Sequence, residues 1–457
     1  MEQEEITITF FGGAETPTGS NFFLESPTGK TRILIDCGLY QGSKMSEEEN
    51  REPFPYDPAS MQYLFVTHAH IDHVGRIPQL VKQGFKGKII STPPTRDISE
   101  LMLIDSMGVL EKEARMEGKP FLYDESDVIE AMKLWEAHPY HEQLTIGEFQ
   151  AELKDTGHIL GSAFIQFTYK GKKIVFTGDL GNSPAPLLSD TEGIAGANVL
   201  VIESVYGDRN HEERSERKEL LEDIIEDAFR RGGVLMIPAF SLERTQELLF
   251  ELNDLIEHGR VPRVPVYLDS PLAIKVTSVY KKYESYFNDV TRGIIKGGDD
   301  IFKFPGIEFS PTTEESKAIR NKPNPKIIIA GSGMSNGGRI IHHEKNYLSD
   351  PKSTLLIIGY QAPRSLGRRL QDGEKEVTIL GEHISVHAEV RTIHGYSAHK
   401  DSKNLLKFVA TGADTLTDVF VVLGEPKSRL FLVQKIRDNL GIYTHAPDQK
   451  SSVKIPV

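Results

Sequence analysis

Short apolar runs, each closed by Gly, Asp, His or Pro, fill the first two hundred positions of the chain. "ITITFFGG", "RILIDCG", "YLFVTHAH", "GKIISTP", "FIQFTYKGKKIVFTGDLG" and "NVLVIESVYG" are rich in β-branched and aromatic residues, which predicts strands with tight connections. "TYKGKKIVF" reads as a hairpin. Residues 97–116 and 125–138 carry helix-type spacing and form a helical insertion after "STPPTRD". From about residue 212 the rhythm changes. A charged helix stops at Gly232–Gly233, and then strands such as "VLMIPAF", "VPVYLDS", "KIIIAGSG" and "TLLIIGY" alternate with helices such as "LERTQELLFELNDLIEHG". Alternation of this kind predicts a parallel sheet with crossover helices. After residue 380 short strands return ("EVRTIHGYS", "DVFVVLGE"), with two helices at 401–410 and 426–440. The pattern predicts an α/β fold: an αββα sandwich made of residues 1–207 and 381–457, interrupted by a parallel α/β insert at 208–380.

Length supports more than one core, since 457 residues exceed what a single core usually holds. The net charge of −13 argues against wholesale coating of nucleic acid but leaves room for a local basic groove. The single cysteine, Cys37, excludes an intramolecular disulfide, and "MEQEEITITF" has no apolar leader, so a cytoplasmic location is expected. No run of 18 apolar residues is present, so no membrane partner is expected.

The chemistry concentrates in "THAHIDH", where His68, His70, Asp72 and His73 lie within six positions. Along extended chain, side chains two apart share a face, so His68 and His70 can meet one ion. A turn into "HVGRIPQL" would swing Asp72 and His73 toward a neighbouring position. Imidazole with carboxylate suits zinc-type ions. Further donors should come from other strand ends: His158 in "DTGHILGSA" and Asp179 in "KIVFTGD". Asp36, in "ILIDCG", could orient a ligand imidazole from behind. Taken singly, His158 or Asp36 reads as a structural residue. Four ligand-type side chains in six positions do not.

"THAHIDH", with Asp36 before it and "GHILGSA" and "TGDLG" after it, resembles the metallo-β-lactamase superfamily. "IESVYGDRNH", "PAFSLERTQELL", "DSPLA", "GSGMSNGGRIIHH" and "GYSAHKD" resemble its β-CASP branch, nucleases that process RNA or DNA. The resemblance implies one or two Zn2+ ions. His68, His70 and His158 would hold the first, Asp72 and His73 the second, and Asp179 would bridge them. A hydroxide between the metals would attack phosphorus. The expected catalytic residues are Asp72, Glu203 and His399, with Glu203 orienting His399, which protonates the leaving oxygen. One motif departs from the family. Leu423, in "VVLGEPKS", stands where a histidine usually completes the second zinc site. That leaves open a weaker second site, a one-zinc enzyme, or a catalytically weakened RNA-binding paralogue. DNA-processing members also carry an apolar residue there, so DNA stays open as a substrate.

Phosphate contacts are expected from the glycine-rich "GSGMSNGGR", with Ser332, Gly333 and Met334, and from Ser241 and Arg244 in "PAFSLERTQ". Arg364, Arg368 and Arg369 offer a local positive wall. No ring of aromatics that would read bases stands out, so sequence specificity is not expected. The implied two-domain arrangement would admit only a thin strand. A single strand is therefore the expected substrate; the resemblance implies RNA, cut internally, and a homodimer stays open as the assembly. A small-molecule hydrolase of the wider superfamily is disfavoured by the insert with Glu203 and His399. A non-catalytic RNA-binding subunit is the remaining alternative.

Overall fold

Alternation inside single strands decides what each sheet covers. In the computed structural model, which describes residues 4–42, 48–211, 216–362 and 364–457, Phe22 and Leu24 enter one core while Phe23 between them enters another. Ile33 and Ile35 divide from Leu34 in the same way, and Val199 and Val201 from Leu200 and Ile202. Period-two chains with both faces apolar must be covered on both sides. The result is a sandwich of two seven-stranded sheets with helices outside each. The first sheet runs Ser452–Pro456, Glu5–Gly12, Asn21–Glu25, Arg32–Ile35, Tyr63–Phe65, Lys88–Ser91, Trp135–Ala137. The second runs Tyr443–His445, Asp418–Val421, Val199–Ile202, Lys172–Phe176, Ala163–Tyr169, Phe149–Asp155, Leu144–Ile146. Aromatic side chains dominate the space between them, as in the edge-on pair of Phe65 and Phe167 with centroids 5.0 Å apart. Each such ring contributes roughly 2–3 kcal/mol through burial.

Local chemistry fixes the connections. Lys170 and Gly171 both have positive φ (46° and 89°), the two-residue turn that matches strand twist, so "TYKGKKIVF" forms the expected hairpin. The helix Pro93–Glu117 starts under a Thr92 cap with Pro at its first positions and stops at Gly118 in the left-handed region. The next helix, Glu125–Lys133, is shorter than the spacing suggested. Trp135–Ala137 becomes an edge strand instead, and the Trp135 indole donates to Ser91 Oγ at 2.8 Å. Tertiary pairing outweighs helical spacing there.

The chain divides into two compact units, residues 1–210 with 399–457, and residues 211–398. The second unit therefore extends past the boundary expected at 380. Its six-stranded sheet includes Glu389–Ile393, paired in parallel with Thr354–Ile358, whereas the sequence reading grouped that strand with the C-terminal part of the sandwich. The other strands, in spatial order, are Ile307–Phe309, Val266–Asp269, Lys326–Ala330, Val234–Pro238 and then Thr354–Ile358. The connections after Val234–Pro238 and Lys326–Ala330 leave in opposite directions. The gap between these neighbours at their C-terminal ends is thus the topological switch point, where open α/β sheets usually bind ligands. No helix among the described residues is long and apolar enough to cross a membrane.

Glu344, fully buried in the second unit, accepts the Ser335 hydroxyl on one oxygen and has no partner for the other. Burial pushes its carboxyl up to about 8 from an ordinary 4.5. The fold thus retains a proton that the unfolded chain releases, so stability falls as pH rises across that window. Replacing Glu344 by Gln removes this contribution. In urea titrations from pH 5 to pH 8, Glu344→Gln should gain on the wild type by ~2–4 kcal/mol. Parallel pH slopes for the two proteins would contradict it.

Candidate metal centre

The site grows from strand ends. Asp36 follows Arg32–Ile35, His68 follows Tyr63–Phe65, His158 follows Phe149–Asp155, Asp179 follows Lys172–Phe176, and Glu203 follows Val199–Ile202. All five strands finish at one edge of the sandwich, because those of the first sheet are mutually parallel and those of the second share direction. The loops meet by close backbone approach. Gly178 has φ 54°, and a Cβ there would lie 2.6 Å from the Thr67 side chain. A Cβ on Gly38 would fall 1.5 Å from the Asp72 carbonyl oxygen. Any larger residue at either position would push ligand-bearing loops apart.

His68 Nε2 lies 3.0 Å from His70 Nδ1, and His158 Nε2 lies 3.2 Å from the same atom. Asp179 Oδ2 is 3.4 Å from His68 Nε2 and 3.5 Å from His158 Nε2. Four donors placed tetrahedrally around zinc at ordinary bond lengths sit about 3.3 Å from one another. The quartet is thus spaced as a metal would require. Burial and the neighbouring imidazoles keep His68 well below its ordinary pKa, in the neutral form that can ligate.

A second position lies alongside. His73 Nε2 is 3.6 Å from Asp179 Oδ1 and 3.9 Å from Asp72 Oδ2, is buried, and has no hydrogen-bond partner. An orphaned buried nitrogen between two carboxylates fits a cation there. Its other nitrogen contacts Asp36 Oδ2 at 2.6 Å, and Asp36 also accepts from Ser20 Oγ, Thr67 N and Thr67 Oγ1. Asp36 itself adopts φ 59°, a strained conformation for a non-glycine that the surrounding bonds hold in place. Asp72 and His73 belong to the short helix Ile71–Val74, as the sequence turn implied.

Glu203, fully buried, accepts Leu180 N at 2.7 Å and Val205 N at 3.3 Å. His399 Nδ1 lies 3.4 Å from Glu203 Oε1 and 3.8 Å from Asp179 Oδ2. Burial alone would lower the His399 pKa, but the Glu203 and Asp179 carboxylates more than offset it and raise it to about 9. Asp179, Glu203 and His399 form a second tight donor group beside the first. Two contributors escaped the sequence reading. Thr67 reaches Asp36 and both His68 and His73, and Lys400 donates to the Gly181 carbonyl at 2.6 Å, bracing the loop after Asp179. Their adjacency to His68 and His399 was the available signal.

Leu423 is buried with φ 49° and belongs to the inter-sheet core, and its Cδ2 would meet a Cβ built on Gly13 at 2.7 Å. It offers no donor. Neither His387 nor His394 joins the donor groups found among the described residues.

Within the inserted unit, Ser241 Oγ lies 3.2 Å from Ser270 Oγ, and the Ser332 hydroxyl is buried without a partner. Gly333 is buried, and the Met334 carbonyl accepts Gly367 N at 3.1 Å. Ser241 and Ser332 leave the adjacent strands at the switch point, so the structure brings those candidates together. Arg244 is different. It is 6% exposed, its guanidinium is 2.5 Å from Glu247, and it lies over the Tyr396 ring, so its charge is spent inside the fold rather than on a ligand. Arg368 is exposed and paired with Asp372, and Arg369 with Glu374.

Family models match in three blocks: the metallo-beta-lactamase superfamily over residues 16–227, the Beta-Casp domain over 245–370, and the Zn-dependent metallo-hydrolase RNA specificity domain over 383–447. A ribonuclease of Thermus thermophilus is 38% identical over 405 residues, covering 88% of this chain and 90% of that protein. The chain belongs to the β-CASP branch of the metallo-β-lactamase superfamily. An RNase J-like protein of Methanocaldococcus jannaschii is 33% identical over 97% of this chain and 98% of its own length. A transcription termination factor of Methanosarcina mazei is 32% identical over 98% of this chain and 72% of its own. A crystal structure of a protein of unknown function from Enterococcus faecalis shares the fold, with TM-score 0.57 and 13% identity, over 99% of this chain and 100% of that one. Members of this metallo-hydrolase family use metal ions, which accords with the donor quartet.

Asp36 should govern how well this β-CASP protein holds a metal through His73. Asp36→Asn keeps the shape and removes the charge. Zinc affinity, measured by competition with a chromophoric chelator, should fall by roughly 10–100-fold. An unchanged affinity would deny Asp36 its orienting role.

Proposed function

We propose that the protein hydrolyses phosphodiester bonds within single-stranded RNA, with zinc held by His68, His70, His158 and Asp179. A second, weaker position lies at Asp72, His73 and Asp179. The donor quartet, with four of its contacts at 3.0–3.5 Å and all donor atoms within 4.8 Å of one another, is the observation that carries the reading. The ribonuclease from Thermus, similar over nearly the whole chain, supports RNA as the substrate class. Divalent ions bound there would lower the pKa of water and neutralise charge developing on the phosphoryl oxygens.

The chain's own residues supply the rest. His399, flanked by Glu203 and Asp179, holds its proton at neutral pH and gives it to the departing ribose oxygen. Glu203, locked by two backbone amides, fixes the imidazole. Ser332, Gly333, Met334 and Ser241 cradle phosphate at the switch point, with Arg368 at its rim. Arg244 takes no part. With Leu423 in the core, the second position has three protein donors, so the two positions differ in strength.

Purified protein should cut a labelled circular RNA, which has no ends, and lose that activity with chelator. Failure to cut any RNA with zinc present would end the proposal. His399→Ala should lower kcat by about 10²–10⁴-fold with zinc content unchanged. Graded chelation followed by metal analysis should remove one equivalent of zinc well before the other. Simultaneous loss of both would contradict the inequality of the sites.

A further inference from the structure

Beyond the metal centre and the phosphate loop, the inserted unit displays two large aromatic side chains at the switch-point edge of its sheet. Phe240 is 41% exposed and Tyr360 is 46% exposed. Phe240 lies two residues past the end of Val234–Pro238, and Tyr360 two past Thr354–Ile358, and these strands are hydrogen-bonded neighbours. Register places Phe240 level with Ser332 on one side, since Pro238 pairs with Ala330, and level with Gly359 on the other, since Met236 pairs with Leu355. Strands lie roughly 4.8 Å apart, so the backbone segments bearing both rings flank the loop at 331–338.

The loop is built against these residues. A Cβ on Gly333 would sit 2.7 Å from the Phe240 ring, so the bare backbone of Gly333 lies directly on the aromatic edge. Gln361, next to Tyr360, donates to the Gly333 carbonyl at 2.9 Å. The Phe240 carbonyl accepts the Thr245 hydroxyl at 2.7 Å, which fixes the ring's own backbone. Arg368, exposed on the helix Leu366–Gln371 after Tyr360, follows Gly367, whose N–H donates to the Met334 carbonyl at 3.1 Å. Exposed rings, a buried hydroxyl without a partner, bare glycine backbone and an arginine thus share one edge of one sheet.

Partly water-facing Phe and Tyr at neighbouring strand ends offer two aromatic faces beyond those that packing uses. Phosphate-binding groups beside stacking faces are what a flexible polynucleotide needs, since every base has a π-face and every linkage a charge. We propose that Phe240 and Tyr360 form a base-stacking platform that holds unpaired bases of single-stranded RNA whose phosphates lie on the Ser332–Met334 loop. This rests on RNA being the substrate. It gives affinity without reading sequence, and it disfavours duplex, whose bases are already stacked.

The test uses full-length protein carrying His399→Ala, to slow cleavage, and a single-stranded oligoribonucleotide containing 2-aminopurine. Bound wild-type platform should quench the 2-aminopurine. Phe240→Leu and Tyr360→Leu, which keep apolar bulk, should each weaken binding roughly tenfold and reduce the quench. Tyr360→Phe, which keeps the ring, should bind as the parent does. Should Phe240→Leu fail to fold, the Tyr360 pair decides alone. Leucine variants that bind and quench like the parent overturn the platform while leaving the ribonuclease reading intact. No RNA binding by the parent protein overturns that reading itself, and the platform with it.

Discussion

A carboxylate buried among imidazole nitrogens is the interaction that organises the sandwich unit. Asp179 has one oxygen toward His68 and His158 and the other toward His73, all almost sealed from water. Burying that charge without compensation would be strongly unfavourable. Burial pushes the Asp179 carboxyl up to about 7, and histidines facing it can carry protons that offset its charge. His73 is the clearest case: burial would lower its pKa, yet Asp179 and Asp36 raise it to about 10. A cation in place of that proton would supply the same balance of charge. The polar edge of the fold is thus shaped for a positive charge, whichever species supplies it.

Holding such a cluster demands rigid supports. Three strand ends deliver the candidate ligands, two more bring Asp36 and Glu203 behind them, and the aromatic core between the sheets fixes those ends. Glycines at 38 and 178 let the connecting loops touch. Side chains behind the ligands then remove the remaining freedom: Thr67 and Asp36 for the imidazoles, Lys400 for the loop that follows Asp179. The inserted unit solves another problem with different means. Its parallel sheet leaves a gap where connections leave in opposite directions, and hydroxyls and bare backbone gather at that gap.

Much of this was legible along the chain because the information is local. His68 to His73 declare themselves by contiguity, His158 by following a strand among small residues, and Asp179 by ending an apolar run. The parallel sheet follows from strand–helix alternation. What was misread depends on partners that spacing does not show. Arg244 looked like a free cation because Glu247 and Tyr396, which absorb it, meet it only in three dimensions. Glu389–Ile393 has the composition of a strand, but composition does not name the sheet it joins. Phe240 and Tyr360 each resemble core aromatics, and their exposure appears only when their strands lie side by side.

The last strand, Ser452–Pro456, pairs with the first, Glu5–Gly12. During synthesis, therefore, the first sheet stays incomplete until residues 452–456 have been made. Residues 211–398 form a contiguous unit and can fold while the interrupted sandwich still waits for its closing piece. His399 emerges immediately after that unit. A nascent chain would accordingly hold the donor cluster on an open-edged sheet until residue 456 had left the ribosome.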